Sequence, residues 1–320
     1  HPLLPPWVPP WLPAKAGGGV GADERMSIPG SVGTVLAGAA ALLRGATRSP
    51  QLDAELLLAH VLKQTRTDLL THWEVSIPPQ ATRAFTSLVR RRAEGIPLAY
   101  LTGKVDFYGR SFAVTPAVLI PRSETEAIVE EALRLLDTIA ELHPIVADIG
   151  TGSGVIAVSL AAGSPRVRIV ATDRSSAALV VARRNARRHK VASRITFIES
   201  DLLTEIPADL APHLLVANLP YVSSDELERA GETPDTVGLT FEPQEALDGG
   251  PDGLFVIRRL FVQLKRLENQ SLASRIQHLV LEHGSAQRRR VRELAHDALP
   301  GFRPREVSPF VTSWALRRRP

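Results

Sequence analysis

Val146 to Gly154 reads VADIGTGSG, an apolar run that breaks into a glycine-rich turn. Ile145 to Ile149 is short and fully apolar apart from Asp148, as expected of a strand buried on both faces. Val155 to Ala162 is a helix by its composition and length, and Arg168 to Thr172 is the next strand, ending at Asp173 in ATDRS. Outward from this unit the same alternation continues. A helix over Ala177 to Arg188, strands at Ile195 to Glu199 and Leu214 to Ala217, a helix at about Leu254 to Leu267 and a fifth strand at His278 to Glu282 follow in order. Ser285 to Ala298 is helical, and Arg303 to Ser308 with Phe310 to Arg317 forms a last hairpin. Strands alternating with helices predict an α/β fold, with a mostly parallel sheet and a closing antiparallel hairpin.

The N-terminal third has another character. His1 to about Ile28 is rich in proline, lacks periodicity and cannot pack a core; it is expected to be disordered, and the part before Met26 reads as an upstream extension. Ser31 to Gly95 follows a helical period. Ser49-Pro50 marks a helix start, with Leu52, Leu56, Leu57, Val61 and Leu62 expected on one stripe. Thr67 is the expected cap of a short helix running to Trp73, and a longer helix from about Gln80 to Glu94 stops at Gly95. Short β-prone pieces around Gly103 and Gly109 suit a hairpin, and a helix is expected from near Ser123 to about Leu142. The expected division is an extension over 1–30, a helical docking domain over 31–97, a linker hairpin over 98–121 and the α/β domain over 122–320.

Composition narrows the function classes. Of 320 residues, 44% are hydrophobic and 22% charged, ordinary values for a globular protein. No apolar run reaches the roughly 20 residues of a membrane span, and no targeting segment is evident, so the cytoplasm is the expected compartment. Cysteine is absent, which removes disulfides, thiolate zinc sites and cysteine nucleophiles. The net charge of +4 is small for a dedicated nucleic-acid binder, and no stable nucleic-acid partner is expected. The nine histidines show no metal-binding spacing, and no metal is expected.

The strand ends carry the chemistry. Gly150, Gly152 and Gly154 can take positive φ and let a ligand approach the backbone, and with Thr151 and Ser153 they lead into a helix whose first N–H groups are free. Asp173 closes the next strand, where a carboxylate can accept both hydroxyls of a ribose. Asp201-Leu202 closes the third. After the fourth comes Asn218-Leu219-Pro220-Tyr221. The Asn218 side-chain oxygen and the Leu219 carbonyl can together accept both hydrogens of a planar amide or amine, while Pro220 keeps Leu219 extended and Tyr221 offers a flat wall. An amide nitrogen is a poor nucleophile because its lone pair is delocalised, so positioning has to carry most of the catalysis.

GIPLAYLTG, VTPAVLIPRSETE, VADIGTGSG, ATDRS with the downstream Asn185, ESDLL, ANLPYV and FEPQEALDGGPDGL occur in that order over about Pro97 to Gly253, with LEHG and Gln287 beyond. This ordered set resembles the PrmC/HemK family, the release factor glutamine methyltransferases. The resemblance implies a class I S-adenosylmethionine-dependent methyltransferase domain, Rossmann-like, behind a small helical bundle. It implies that Gly150 to Gly154, Asp173, Asp201, Leu202 and Asn218 take S-adenosyl-L-methionine, with the adenine against Asp201-Leu202. Asn218 to Tyr221 would hold the substrate, the glutamine of the Gly-Gly-Gln loop in class I peptide chain release factors, with Asn218 and Tyr221 as catalytic residues. The family motif is NPPY; Leu219 replaces its first proline and removes ring rigidity there. A glutamine methyltransferase acting on a ribosomal protein is the nearer alternative and a nucleic-acid adenine methyltransferase the more distant one, since NLPY also occurs among rRNA adenine dimethyltransferases.

Overall fold

The computed structural model describes residues 30–234, 236–267 and 275–316. The proline-rich stretch expected to be disordered and the end of the last hairpin at Arg317 lie outside the described residues. The chain divides into two compact units: residues up to Gly103 together with Gly231–Gly238, and Lys104–Ala230 together with the residues from Leu239 onward.

The first unit is helical: α1 (Val32–Leu43), α2 (Pro50–Leu62), α3 (Arg66–Thr71), α4 (Pro79–Ala93) and α5 (Leu98–Thr102). Leu36, Leu57, Leu58, Leu69, Phe85 and Val89 form its core. Two local expectations are corrected. The buried stripe of α2 centres on Ala54, Leu57 and Leu58, while Leu52 is exposed. Polar residues share that face because they are paired: Arg92 donates to the buried Asp53 at 2.7 Å and Arg66 to the buried Glu55 at 2.6 Å, so charge no longer marks the outside. The cap of α3 is Thr65 rather than Thr67. Thr65 and Asp68 form a reciprocal capping box, which satisfies two backbone donors that Thr67 cannot reach.

The second unit opens with an antiparallel hairpin, β1 (Lys104–Phe107) and β2 (Arg110–Ala113). Tyr108 and Gly109 at its turn both have positive φ, as a two-residue hairpin loop with the twist of its strands requires. A 3₁₀ turn at Ser123–Thr125 leads into α6 (Glu126–Leu136), which ends short of the expected Leu142. Arg166 donates to the Leu136 and Ile139 carbonyls where the helix stops. Then come β3 (Ile145–Ile149), α7 (Val155–Gly163), β4 (Arg168–Asp173), α8 (Ser176–Arg188), β5 (Ile195–Glu199), β6 (Leu214–Ala217), α9 (Ser224–Glu228), α10 (Phe255–Leu267), β7 (His278–Glu282), α11 (Arg288–Ala298), β8 (Phe302–Glu306) and β9 (Val311–Leu316).

The seven-stranded sheet has the order β5-β4-β3-β6-β7-β9-β8, parallel through β7 and antiparallel in the closing hairpin. Successive strand residues point to opposite faces. Val146, Leu214, Val216 and Val280 enter the core under α6 and α7, while Ala147, Leu215, Ala217 and Leu281 enter the core under α10 and α11. From β3 the chain winds outward through β4 to β5, then crosses to β6 and β7 on the other side. That reversal between β3 and β6 opens a crevice at their carboxyl ends.

One buried side chain joins the hairpin to that edge. The fully buried Asn185 of α8 accepts from the Ala113 N–H at 2.8 Å and donates to the Ala113 and Ser153 carbonyls at 2.9 and 2.8 Å. Asn185→Ala strands one donor and two acceptors, and a stability loss of about 3 kcal/mol is expected in urea unfolding. A loss below about 1 kcal/mol would show that water or a shifted loop takes over these bonds.

Candidate active site

The crevice is a cleft enclosing about 1030 Å³ including its open mouth, and the carboxyl ends of β3, β4 and β6 form its floor. Gly150, Gly152 and Gly154 have φ of 71°, 54° and 80°. They serve three different purposes. A Cβ on Gly152 would meet nothing within 4 Å, so this residue leaves backbone open to the cleft. A Cβ on Gly150 would lie 3.0 Å from the Leu219 side chain, and one on Gly154 would lie 3.0 Å from the Cβ of Ala182 in α8. Gly150 therefore admits the segment that follows β6, and Gly154 admits a neighbouring helix.

Two aspartates hold the turn. Asp173 accepts from the Gly152 N–H through Oδ2 at 2.8 Å and from the Ser175 N–H through Oδ1 at 2.9 Å, so the ends of β3 and β4 are tied through one carboxylate. Burial pushes its pKa up, and those two N–H donors oppose the push. Its oxygens keep lone pairs toward the cleft that it lines. Asp148 lies beneath the turn and is fully buried. Its Oδ2 accepts from Thr151 Oγ1 at 2.6 Å and from the Ala157 N–H at 3.1 Å, while Oδ1 has no hydrogen-bond partner among the described residues. Burial raises its pKa to about 7, over the opposing pull of those bonds.

On the far wall, Leu202 has φ of 59°, unusual for a branched side chain. Its carbonyl accepts from Thr172 Oγ1 and Ser200 Oγ, both at 3.1 Å, which holds that conformation. Asp201 pairs with Arg259 of α10, and Arg174 pairs with Glu245 at 3.1 Å. All four charged residues line the cleft beside apolar Ile156, Leu202 and Ala246.

Asn218 follows β6. Its Nδ2 donates to Thr125 Oγ1 at 3.0 Å, which turns Oδ1 away from Thr125. Leu219 is 3% exposed, its side chain packed on Gly150, so burial supplies part of the restraint that a proline ring would have supplied. Tyr221 Oη donates to Glu282 Oε1 at 3.0 Å, and burial followed by that carboxylate raises the pKa of the phenol. Gln287 Nε2 donates to the Tyr221 carbonyl at 2.9 Å, while its Oε1 accepts from the Gly284 N–H. Gly253 admits this contact, since a Cβ there would lie 2.3 Å from the Tyr221 carbonyl oxygen.

Of the residues singled out from sequence, Gly150, Thr151, Gly152, Ser153, Asp173, Asp201, Leu202, Asn218, Leu219 and Pro220 line one cleft. Gly154 packs against Ala182 of α8, and the Tyr221 hydroxyl donates to Glu282. Sequence reasoning gave no role to Thr125, Asp148, Glu242 or Glu282, and none to Gln287 beyond its place in the quoted pattern. Glu242 is buried, accepts from the Ile120 N–H at 2.9 Å and pairs with Arg122, so it fixes the segment that carries Val118 and Pro121 into the cleft. The signal for three of them lay in the quoted stretches PRSETE, FEPQEALDGG and LEHG, whose polar residues were given no task.

Residues 34–103 match the family described as the PrmC N-terminal domain, and residues 129–231 match the methyltransferase small domain. A release factor glutamine methyltransferase of Moorella thermoacetica is 43% identical over 268 residues, 84% of this chain and 90% of that protein. Its counterpart in Burkholderia pseudomallei is 42% identical over 260 residues, 80% and 87% of the two chains. Among solved structures, the hMettl16 catalytic domain in complex with a MAT2A 3′UTR hairpin has a TM-score of 0.51 at 16% identity, covering 70% of this chain and 79% of that one. That last likeness is one of fold.

The buried Asp148 predicts a pH-dependent stability. Its folded-state pKa of about 7 lies above the unfolded value of about 3.9, so the folded protein keeps a proton that the unfolded chain has released. Stability then falls as pH rises through that window and levels off above about 7. Asp148→Asn keeps an acceptor for Thr151 and Ala157 without the charge. Relative to the wild type it should gain on the order of 2–3 kcal/mol between pH 5 and pH 8 in urea unfolding of the ligand-free protein. A constant difference would show Asp148 already ionised at pH 5.

Proposed function

Because the chain belongs to the release factor glutamine methyltransferases, we propose that it methylates the side-chain amide nitrogen of the glutamine in the Gly-Gly-Gln loop of class I peptide chain release factors. The observation that carries this reading is the Asn218 amide at the edge of the cleft, its nitrogen anchored on Thr125 and its oxygen left for an acceptor.

The cleft fits S-adenosyl-L-methionine. The open backbone at Gly152 and the start of α7 suit the amino-acid end, Asp173 suits two ribose hydroxyls, and the wall of Leu202, Ile156 and Ala246 suits a flat base next to Asp201. When bound, this group supplies a methyl made electrophilic by the sulfonium sulfur. The chain itself does the positioning. Asn218 Oδ1 and the Leu219 carbonyl each accept one hydrogen of the substrate carboxamide, which aims its nitrogen and stabilises the positive charge it gains. The nitrogen gains a methyl and releases one hydrogen as a proton. Tyr221 backs the acceptor segment, its phenol fixed by Glu282. This assignment uses no metal. The helical unit would dock the body of the release factor, and the cytoplasm would be the site of action. No helix among the described residues is long and apolar enough to cross a membrane.

Labelled methyl transfer to a purified release factor, beside its loop Gln→Ala variant, a ribosomal protein and DNA, tests the substrate. Label on the release factor alone, lost with the glutamine, is expected; label on another acceptor would replace this reading. Asn218→Ala should lower kcat at least a hundredfold while cofactor binding stays measurable, and wild-type activity in that variant would remove the positioning mechanism. Asp173→Ala should raise the cofactor Kd tenfold or more, about 1.4 kcal/mol. An unchanged Kd would show that Asp173 does not hold the ribose.

A further inference from the structure

Glu282 closes β7 and is 0% exposed. The register pairs Ala217 with Leu281, so Asn218 and Glu282 are the next residues on adjacent parallel strands. One oxygen of Glu282 takes the Tyr221 hydroxyl, and Oε2 has no partner within hydrogen-bond geometry among the described residues. The side chains of Thr125 and Asn218 face the carboxylate and, like Tyr221, favour its charged form.

The two ends of an asparagine amide have nearly the same shape and opposite polarity. In one orientation Asn218 offers an oxygen to the acceptor nitrogen; in the other it offers N–H groups to a nitrogen that already carries hydrogens. Thr125 cannot choose between them alone, because a hydroxyl both donates and accepts. An ionised carboxylate only accepts. Thr125 makes no hydrogen bond to Glu282 among the described residues, but its side chain faces the carboxylate, which attracts the hydroxyl hydrogen; the Thr125 oxygen is then left to accept, as it does from Asn218 Nδ2 at 3.0 Å.

We propose that Glu282 is a positioning residue: its ionised carboxylate polarises Thr125 and thereby selects the Asn218 orientation that can receive the substrate amide. This rests on the function proposed above. Protonated Glu282 donates to Thr125 instead, the chain of hydrogen bonds reverses, and Asn218 turns its N–H groups to the acceptor. Burial, then the nearby Glu124, hold the Glu282 carboxyl above its ordinary range, against Thr125, Tyr221 and Asn218; Arg122 faces Tyr221, and the sheet neighbour Val311 is uncharged. Activity is therefore lost as pH falls through that raised value.

Two measurements test it. In steady-state methylation of a release factor, Glu282→Gln should lower kcat at least tenfold, leave the cofactor Kd within threefold, and lack the acid limb of the wild-type kcat–pH profile. In the cofactor-free protein, the Asn218 side-chain NH₂ resonance, assigned by its absence in Asn218→Ala, should move with pH in the wild type and stay still in Glu282→Gln. An acid limb shared by both proteins, or an Asn218 resonance that ignores pH in the wild type, overturns the proposal. Should Glu282→Gln fail to fold by circular dichroism, Thr125→Ser is expected to stay within threefold of wild-type kcat and Thr125→Val to fall tenfold; equal values overturn it. A wild type inactive on release factors counts against the proposed substrate instead, and the resonance still decides the role of Glu282.

Discussion

The parallel pairing of β3 with β6, from Val146 opposite Leu214 to Ile149 opposite Ala217, is the constraint on which the site depends. Both strands end at the same level, so the residues that follow, Gly150 and Asn218, leave the sheet side by side. A Cβ on Gly150 would lie 3.8 Å from the Asn218 carbonyl oxygen. The connections before and after diverge to opposite sides of the sheet, and no strand lies between them to close the crevice. The register thus brings the glycine turn and Asn218 to one crevice, where the proposed ligand and acceptor would meet.

Buried and half-buried carboxylates then set the detail. Asp173 ties two strand ends together, Asp148 supports the glycine turn from below, Glu242 fixes a cleft-lining segment, and Glu282 faces the acceptor motif from behind. A buried carboxylate is costly unless donors meet it; Arg122 and the Ile120 N–H meet Glu242, while burial outweighs the donors at Asp148 and Glu282. Asp148 and Glu282 both keep an oxygen without a hydrogen-bond partner among the described residues. The sheet core around them is apolar on both faces and covered by helices. Preorganised polarity in a dry setting is what a reaction governed by positioning requires.

Leu219 shows how one departure from a family motif is absorbed. A proline there would restrict the backbone through its ring. The leucine is instead buried against Gly150, which joins the acceptor segment to the glycine turn by packing. The restraint moves from covalent geometry to the core, and its strength now depends on the neighbours of that side chain.

The alternation of short apolar runs with helices was legible in the sequence, because strands buried on both faces must be apolar and most of the helices between them keep a polar side, α7 being apolar nearly throughout. The observed strands agree with that reading to within a residue or two. The turn glycines and the residues at strand ends were legible for a similar reason: backbone conformation and strand termini are local properties. What the tertiary structure alone decided is pairing at a distance. Ion pairs concealed the buried face of α2, Gly154 packs against α8, and the Tyr221 hydroxyl meets Glu282. Thr125, Asn218 and Glu282 come from three separate stretches and face one another only in the folded sheet. Sequence by itself determined which residue types stand at the strand ends. Only the packed sheet decided which polar atoms face one another, because a hydrogen bond depends on the position and direction of both partners.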